Sequence, residues 1–231
     1  MGTLKKIVIL HGWTYSLHKW VRFEDLLKKN GFEVELTKIP GLTKESSESW
    51  NLDKYANWLN ELLEKHDDKV ILLGHSNGGR IAINYAVKYP DKLEKLILID
   101  SAGIFHNEFP TRLKRIVFKE ISKIGKKFTR SNIWRKVLYK FAREGDYENA
   151  NENMKKTMTD LIYTDLTPVL GEVKTPTLII WGENDHVTSV KDAYLMNKLI
   201  SGSKLHVVKG AKHSPFFTNS DEVVEIIKND I

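Results

Sequence analysis

The sequence predicts an α/β fold: a mostly parallel sheet of about six strands flanked by helices, with one helical insertion. Three observations carry this. Short, continuously apolar runs recur along the chain at residues 7–10, 70–73, 96–99, 177–181 and 205–208. Unbroken rather than alternating apolar character fits strands covered on both faces. Stretches with helical periodicity separate these runs, and strands alternating with helices build a parallel sheet. The alternation then stops between Ala102 and Val173, where helical periodicity continues without a convincing strand.

In chain order, the strand at 7–10 is followed by a helical stripe through Trp20, Phe23, Leu26 and Leu27. Residues 32–36 read as a sixth strand. Tyr55, Trp58, Leu59, Leu62 and Leu63 recur at three- and four-residue steps and make the next helix. The strand at 70–73 leads into a helix running through Ile81, Ile83 and Tyr85 to Tyr89, before Pro90. A strand at 96–99 precedes the insertion, residues 102–172, which is too long for a bare loop. Strands at 177–181 and 205–208 and a helix at 223–227 complete a core made of residues 1–101 and 173–231. The insertion takes 71 of the 231 residues and leaves 160 for the sheet domain.

Composition bounds the function. With 41% hydrophobic and 29% charged residues, the chain is an ordinary globular one rather than a disordered one. The absence of cysteine excludes disulfides, thiolate catalysis and thiolate metal sites. No apolar run approaches the ~20 residues of a membrane span, and the run at 7–10 is too short for a signal-peptide core. The expectation is a cytoplasmic protein. The formal charge of +6 invites a nucleic-acid or membrane reading, but it is local. Residues 112–143 hold twelve Lys/Arg and one acid, Glu120, whereas the rest of the chain carries 24 basic and 29 acidic residues. No nucleic-acid partner is therefore expected. The basic segment reads as an amphipathic helix whose lysines extend into solvent. Weak contact with an anionic membrane or an acyl carrier through 112–143 is the second reading.

The chemistry concentrates at Gly74-His75-Ser76-Asn77-Gly78-Gly79, which joins a strand to a helix. A G-x-S-x-G segment in that setting is a nucleophile elbow: a tight turn lifts the serine clear of the sheet edge. Gly74 and Gly78 flank it because side chains there would collide with the turn, and His75 occupies the variable position. The backbone N–H of Asn77, at the helix N-terminus, is free to stabilise an oxyanion. A serine hydroxyl needs a base, and the base needs an orienting acid. Of eight histidines, His213 lies directly after the last strand, at the edge where Ser76 emerges. His186 stands beside the candidate acid. His11 and His75 are read as turn residues bonded locally, and His18, His66, His106 and His206 as surface or insertion residues. Asp185, after the strand ending at Trp181, is taken as the acid, with Asp100, after Ile99, as the alternative. The second oxyanion donor is expected from the backbone N–H of Trp13 in His11-Gly12-Trp13. Trp50, Phe105, Trp134 and Phe216 are candidate pocket-lining or core aromatics, and Arg80 is expected to face a neighbouring element.

These segments together resemble the α/β-hydrolase superfamily over essentially the full length. The resemblance rests on H-G-W at 11–13, G-H-S-N-G-G at 74–79, W-G-E-N-D at 181–185 and G-A-K-H-S-P at 210–215, with Ser76, Asp185 and His213 in the superfamily's chain order. It implies a hydrolase core whose insertion at 102–172 is a helical cap. It also implies a sheet trimmed at its start, because the H-G motif begins at residue 11. A serine rather than an aspartate at position 76 argues against haloalkane dehalogenase or epoxide hydrolase chemistry. The leading expectation is a carboxylesterase-like serine hydrolase cleaving an ester or thioester of a small or acyl substrate, with no metal or organic cofactor. The alternatives are a C–C bond hydrolase or lyase using the same residues, and a non-catalytic small-molecule receptor on the hydrolase scaffold.

Overall fold

The computed structural model describes residues 4–14, 16–105 and 152–231. The basic segment 112–143, His106 and Trp134 lie outside the described residues.

Six parallel strands form one sheet in the order β2-β1-β3-β4-β5-β6. They are β1 (Lys6–Leu10), β2 (Glu33–Leu36), β3 (Val70–His75), β4 (Leu93–Ile99), β5 (Thr177–Gly182) and β6 (Lys204–Val208). Helices α1 (Val21–Lys29), α2 (Leu52–Leu63) and α3 (Asn77–Lys88) fall between the first four strands. Next come α4 (Glu152–Tyr163), α5 (Val190–Leu199), the single turn α6 (Pro215–Thr218) and α7 (Ser220–Asp230).

The central strands carry continuous apolar runs because both faces of the sheet are covered there. Side chains of successive strand residues point to opposite faces. Val8, Leu10, Leu72, Leu96, Leu98, Ile179 and Trp181 therefore join one buried cluster with residues of α2, α3 and α5. Ile7, Ile9, Ile71, Leu73, Ile97, Ile99, Leu178 and Ile180 join another with Phe23 and Leu27 of α1 and Val223 and Ile227 of α7. The register aligns Ile7 with Ile71 and Leu73 with Ile97, so neighbouring apolar positions stack on the same face.

One expectation needs correction, and one helix goes unannounced. The run at 205–208 is not covered on both faces: β6 is an edge strand with His206 and Val207 exposed and Val208 buried. Helix α5 carries no clear apolar stripe to announce it, because its buried side is the unassuming set Asp192, Ala193 and Met196. No helix among the described residues is long and apolar enough to cross a membrane.

Helix α4 is clamped to the core. The Arg80 guanidinium donates from Nη1 to the carbonyl of Leu161 and, at 2.7 Å, to that of Thr164. The Trp50 N–H donates to Thr157 Oγ1 at 2.7 Å. Arg80 thus faces a neighbouring element, in keeping with its position four residues after Ser76.

Candidate active site

The site is built at the carboxyl ends of β3, β4, β5 and β6. Ser76 stands between β3 and α3 with φ 54° and ψ −120°, a left-handed conformation that non-glycine residues seldom adopt. The turn survives because nothing crowds it. A Cβ on Gly74 would lie 2.6 Å from Gly79 Cα, and one on Gly78 would lie 2.0 Å from the Leu10 carbonyl oxygen. Both distances are far inside van der Waals contact, so only glycine fits. The elbow is further held by the Ser76 N–H donating to the Ile99 carbonyl at 3.2 Å, and by the Ala102 N–H donating to the Ser76 carbonyl at 2.9 Å.

His213 reaches Ser76 from the loop after β6. Its Nε2 lies 3.0 Å from Ser76 Oγ, and its Nδ1 lies 2.8 Å from Asp185 Oδ2. All three residues are buried. The structure therefore brings together Ser76, Asp185 and His213 in one hydrogen-bonded line. His186 is exposed and takes no part in it.

The environment of Asp185 explains why it and not its rival is bonded to the histidine. Its Oδ1 accepts the backbone N–H groups of Val187 at 2.7 Å and Thr188 at 3.1 Å. Its Oδ2 accepts the Thr188 hydroxyl at 2.7 Å as well as His213. Burial alone would push this carboxyl up, but the bond and charge of His213, reinforced by Thr188 and Val187, hold it below the ordinary carboxylate range. Asp100 makes no bond to the histidine. It is fully buried at φ 43°, its Oδ1 accepts the Gly182 N–H at 2.8 Å, and its Oδ2 has no hydrogen-bond partner among the described residues. Burial, and then the nearby Asp185 charge, push it up to about 8 against the pull of the Gly182 amide.

The loop carrying Trp13 passes directly over the serine: a Cβ on Gly12 would lie 3.0 Å from Ser76 Cβ and 3.4 Å from Oγ. The peptide leading to Trp13 is thus beside Ser76. Asn77 opens α3, where first-turn amides have no partner within the helix. Trp13 itself is half-buried against the core.

His75 departs from its expected local role. Its Nε2 lies 2.8 Å from the carbonyl oxygen of His213, 138 residues away in sequence. Its ring packs edge-on against Trp20 and Phe216, at 5.8 and 4.8 Å between centroids. Phe216 belongs to this packing rather than to a substrate pocket, stacked on Trp20 at 3.7 Å. Trp50 stacks on Tyr55 at 5.0 Å and Phe105 approaches Tyr163 at 6.1 Å. His11 does bond locally, from Nδ1 to the Gly12 carbonyl at 2.7 Å, but its Nε2 also meets the Thr43 hydroxyl at 2.8 Å. Burial drives it down to about 4, so it is neutral. His18 and His206 are exposed and His66 half-buried.

Among the described residues, one group of side chains could offer three ligand atoms to a cation. Ligand atoms of His75, Asp100 and His213 lie within 4.8 Å of one another. Two of its members are engaged in other bonds, His213 with Ser76 and Asp185 and His75 with the His213 carbonyl.

Comparison with known proteins agrees with this architecture. The family described as "alpha/beta hydrolase fold" matches residues 5–220. A 2-hydroxy-6-oxononadienedioate/2-hydroxy-6-oxononatrienedioate hydrolase of Klebsiella pneumoniae is 25% identical, covering 96% of this chain and 85% of its own. A pimeloyl-[acyl-carrier protein] methyl ester esterase of Wigglesworthia glossinidia brevipalpis is 27% identical, covering 96% and 92%. The solved structure of MenH from S. aureus superposes with a TM-score of 0.74 at 25% identity, over 100% of this chain and 94% of that one. With the elbow, the six-stranded parallel sheet and a family match spanning nearly every residue, the chain belongs to the α/β-hydrolase fold family.

Proposed function

We propose that the protein is a serine hydrolase that cleaves a carboxylic ester or thioester through an acyl-enzyme intermediate. The observation that carries this reading is the continuous line from Ser76 Oγ through the His213 ring to Asp185, at 3.0 and 2.8 Å. In that geometry His213 Nε2 takes the hydroxyl proton as Ser76 Oγ attacks the carbonyl carbon. Asp185, ionised across the neutral range, keeps the other proton on Nδ1 and stabilises the imidazolium. The backbone N–H groups of Trp13 and Asn77 receive the oxyanion, and each such donor contributes roughly 10²–10³ in rate. His213 then protonates the leaving group and activates water for deacylation.

We infer that the insertion at 102–172 acts as a cap for this site. Its described part, α4, is anchored by Arg80 and Trp50, four residues past the nucleophile and on the loop before α2 respectively.

A second reading is favoured by the Klebsiella relative, whose named substrate is a keto-diacid without an ester, so that its hydrolysis breaks a carbon–carbon bond. The same three residues can serve that chemistry. A series of nitrophenyl esters of increasing acyl length and a 2-hydroxy-6-oxo-dienoate, each run with Ser76→Ala as control, decides between the two. Turnover of the esters, abolished in Ser76→Ala, supports the esterase; turnover of the dienoate alone replaces it with the C–C hydrolase. Stoichiometric release without turnover on either would indicate a receptor.

A further inference from the structure

Asp100 is a buried acid at the sheet edge that the hydrolytic line leaves unused, and its surroundings are unusual. It is fully buried, held at a left-handed φ of 43°, and bonded through Oδ1 to a single backbone amide, Gly182 N–H. Its Oδ2 is buried and has no hydrogen-bond partner, and Asp100 makes no ion pair among the described residues. A carboxylate so placed would be stripped of water on one oxygen, which is costly unless the group is protonated.

The groups that face it come from every neighbouring element. His75 on β3 and His213 on the loop after β6 each bring a ring nitrogen within 4.8 Å of its carboxyl. Asp185, on the loop after β5, raises it by like charge. The Thr188 hydroxyl oxygen on that same loop, which donates to Asp185, stands 3.1 Å from the Asp100 carbonyl oxygen and 3.3 Å from His213 Nδ1. On the α3 side, the cation Arg80 aims its guanidinium at Leu161 and Thr164. The charge that would accompany an ionised Asp100 is therefore felt by His213, His75 and Asp185.

We propose that Asp100 is a positioning residue that rests as a neutral acid behind the hydrolytic line and, on releasing its proton to solvent, places a second negative charge beside His213. The inference rests on the assignment of Ser76, His213 and Asp185 as the hydrolytic residues. A carboxylate there favours the imidazolium that forms as Ser76 attacks, so the nucleophile becomes faster when Asp100 ionises. The protein then has a step of activation on the alkaline side that Asp185 alone does not supply, because Asp185 is already charged at lower pH.

The test uses the full chain and a nitrophenyl phosphonate, which reports Ser76 reactivity whatever the natural substrate. The rate constant of phosphonylation is measured from pH 5 to 10 for the wild type and Asp100→Asn. The wild type should show an added rise of about three- to tenfold through pH ~8, the size of a pKa change of up to about one unit at the base. Asp100→Asn should lack that rise. Superimposable profiles overturn the inference while leaving the hydrolase intact. Absence of Ser76 labelling in the wild type overturns the hydrolase reading itself. Should Asp100→Asn fail to fold, infrared spectroscopy of the wild type serves instead. Among the described residues, Asp100 is the carboxyl raised above the usual range. A protonated-carboxyl band persisting at neutral pH and fading through pH ~8 supports the inference; a carboxyl region silent above pH 6 defeats it.

Discussion

Gly78 sits against Leu10 so closely that a Cβ would lie 2.0 Å from the Leu10 carbonyl oxygen and 2.7 Å from that of His11. The first turn of α3 is thereby packed onto the end of β1, and the same contact brings the Gly12–Trp13 peptide beside Ser76. Gly78→Ala must push two backbones apart. It should lower stability by about 1–3 kcal/mol, at the upper end because neither atom belongs to a flexible side chain. Chemical denaturation checks the loss, and phosphonate labelling of Ser76 should fall with it.

Arg80 ties α4 to the nucleophile helix through two backbone carbonyls. Arg80→Met keeps the buried stem and removes the donors, costing about 1.5–3 kcal/mol for hydrogen bonds made by a charged group. The loss should be concentrated in residues 152–164. Hydrogen exchange there should quicken while β3 and β4 remain protected. Uniform acceleration throughout the sheet would contradict the assignment of Arg80 as a local anchor.

Asp185→Asn should abolish most turnover, with a loss on the order of 10⁴, because an amide cannot hold the imidazole in the working tautomer or stabilise its cation. The Asp185 carboxyl lies below its ordinary value of 3.8, so it stays charged throughout the range in which activity is assayed. Loss of turnover in mild acid should therefore not arise from its protonation. Direct titration of this carboxyl by NMR tests the point: a midpoint above the ordinary value would refute it.

His75 holds the His213 carbonyl from the strand that carries the nucleophile. His75→Phe preserves contact with Trp20 and Phe216 but loses that bond. A hydrogen bond of about 1 kcal/mol corresponds to roughly a fivefold fall in Ser76 labelling rate if the loop drifts. His75→Gln, which can still donate, should recover part of it. Equal rates in Phe and Gln variants would show that ring packing alone suffices.

Asp230, at the end of α7, meets Lys95 at 2.6 Å and Lys204 at 2.6 Å. Burial would raise it, but the hydrogen bonds and charges of Lys204 and Lys95 outweigh burial and hold it below 3.8. A carboxyl lowered in the folded state contributes stability above its unfolded pKa and loses that contribution as pH falls through the folded one. The wild type should thus exceed Asp230→Asn in denaturant resistance at pH 7, and the gap should close in acid below about pH 4. A gap that persists at pH 2 would assign the effect to packing.

Much of this fold and site is legible in the amino-acid sequence, for identifiable reasons. Strands buried on both faces write themselves as unbroken apolar runs, and the glycines around Ser76 are required by backbone collisions that no side chain can avoid. His213 and Asp185 are legible because both follow strands at the edge where Ser76 emerges. What escapes depends on contacts remote in sequence. Nothing in the segment 74–79 shows that His75 reaches the His213 carbonyl 138 positions away. The choice between Asp100 and Asp185 turns on a ring of donors from Val187 and Thr188 that surrounds only the latter. Helix α5 is hidden because Ala193 and Asp192 on its inner side look like surface residues, and the exposure of β6 because its apolar run reads like that of a strand covered on both faces.

The edge position of β6 has a bearing on how the protein acquires reactivity. Ser76 follows a central strand, whereas His213 is delivered by the strand that pairs with β5 alone, at the far margin of the sheet. Pairing of β5 with β4 must in turn bridge the whole stretch between Ile99 and Thr177, a long closure that slows assembly. Ser76 should therefore be in place before His213 docks. A refolding chain should recover helical signal well ahead of Ser76 labelling, so that chemical competence marks the final docking event rather than the collapse that precedes it.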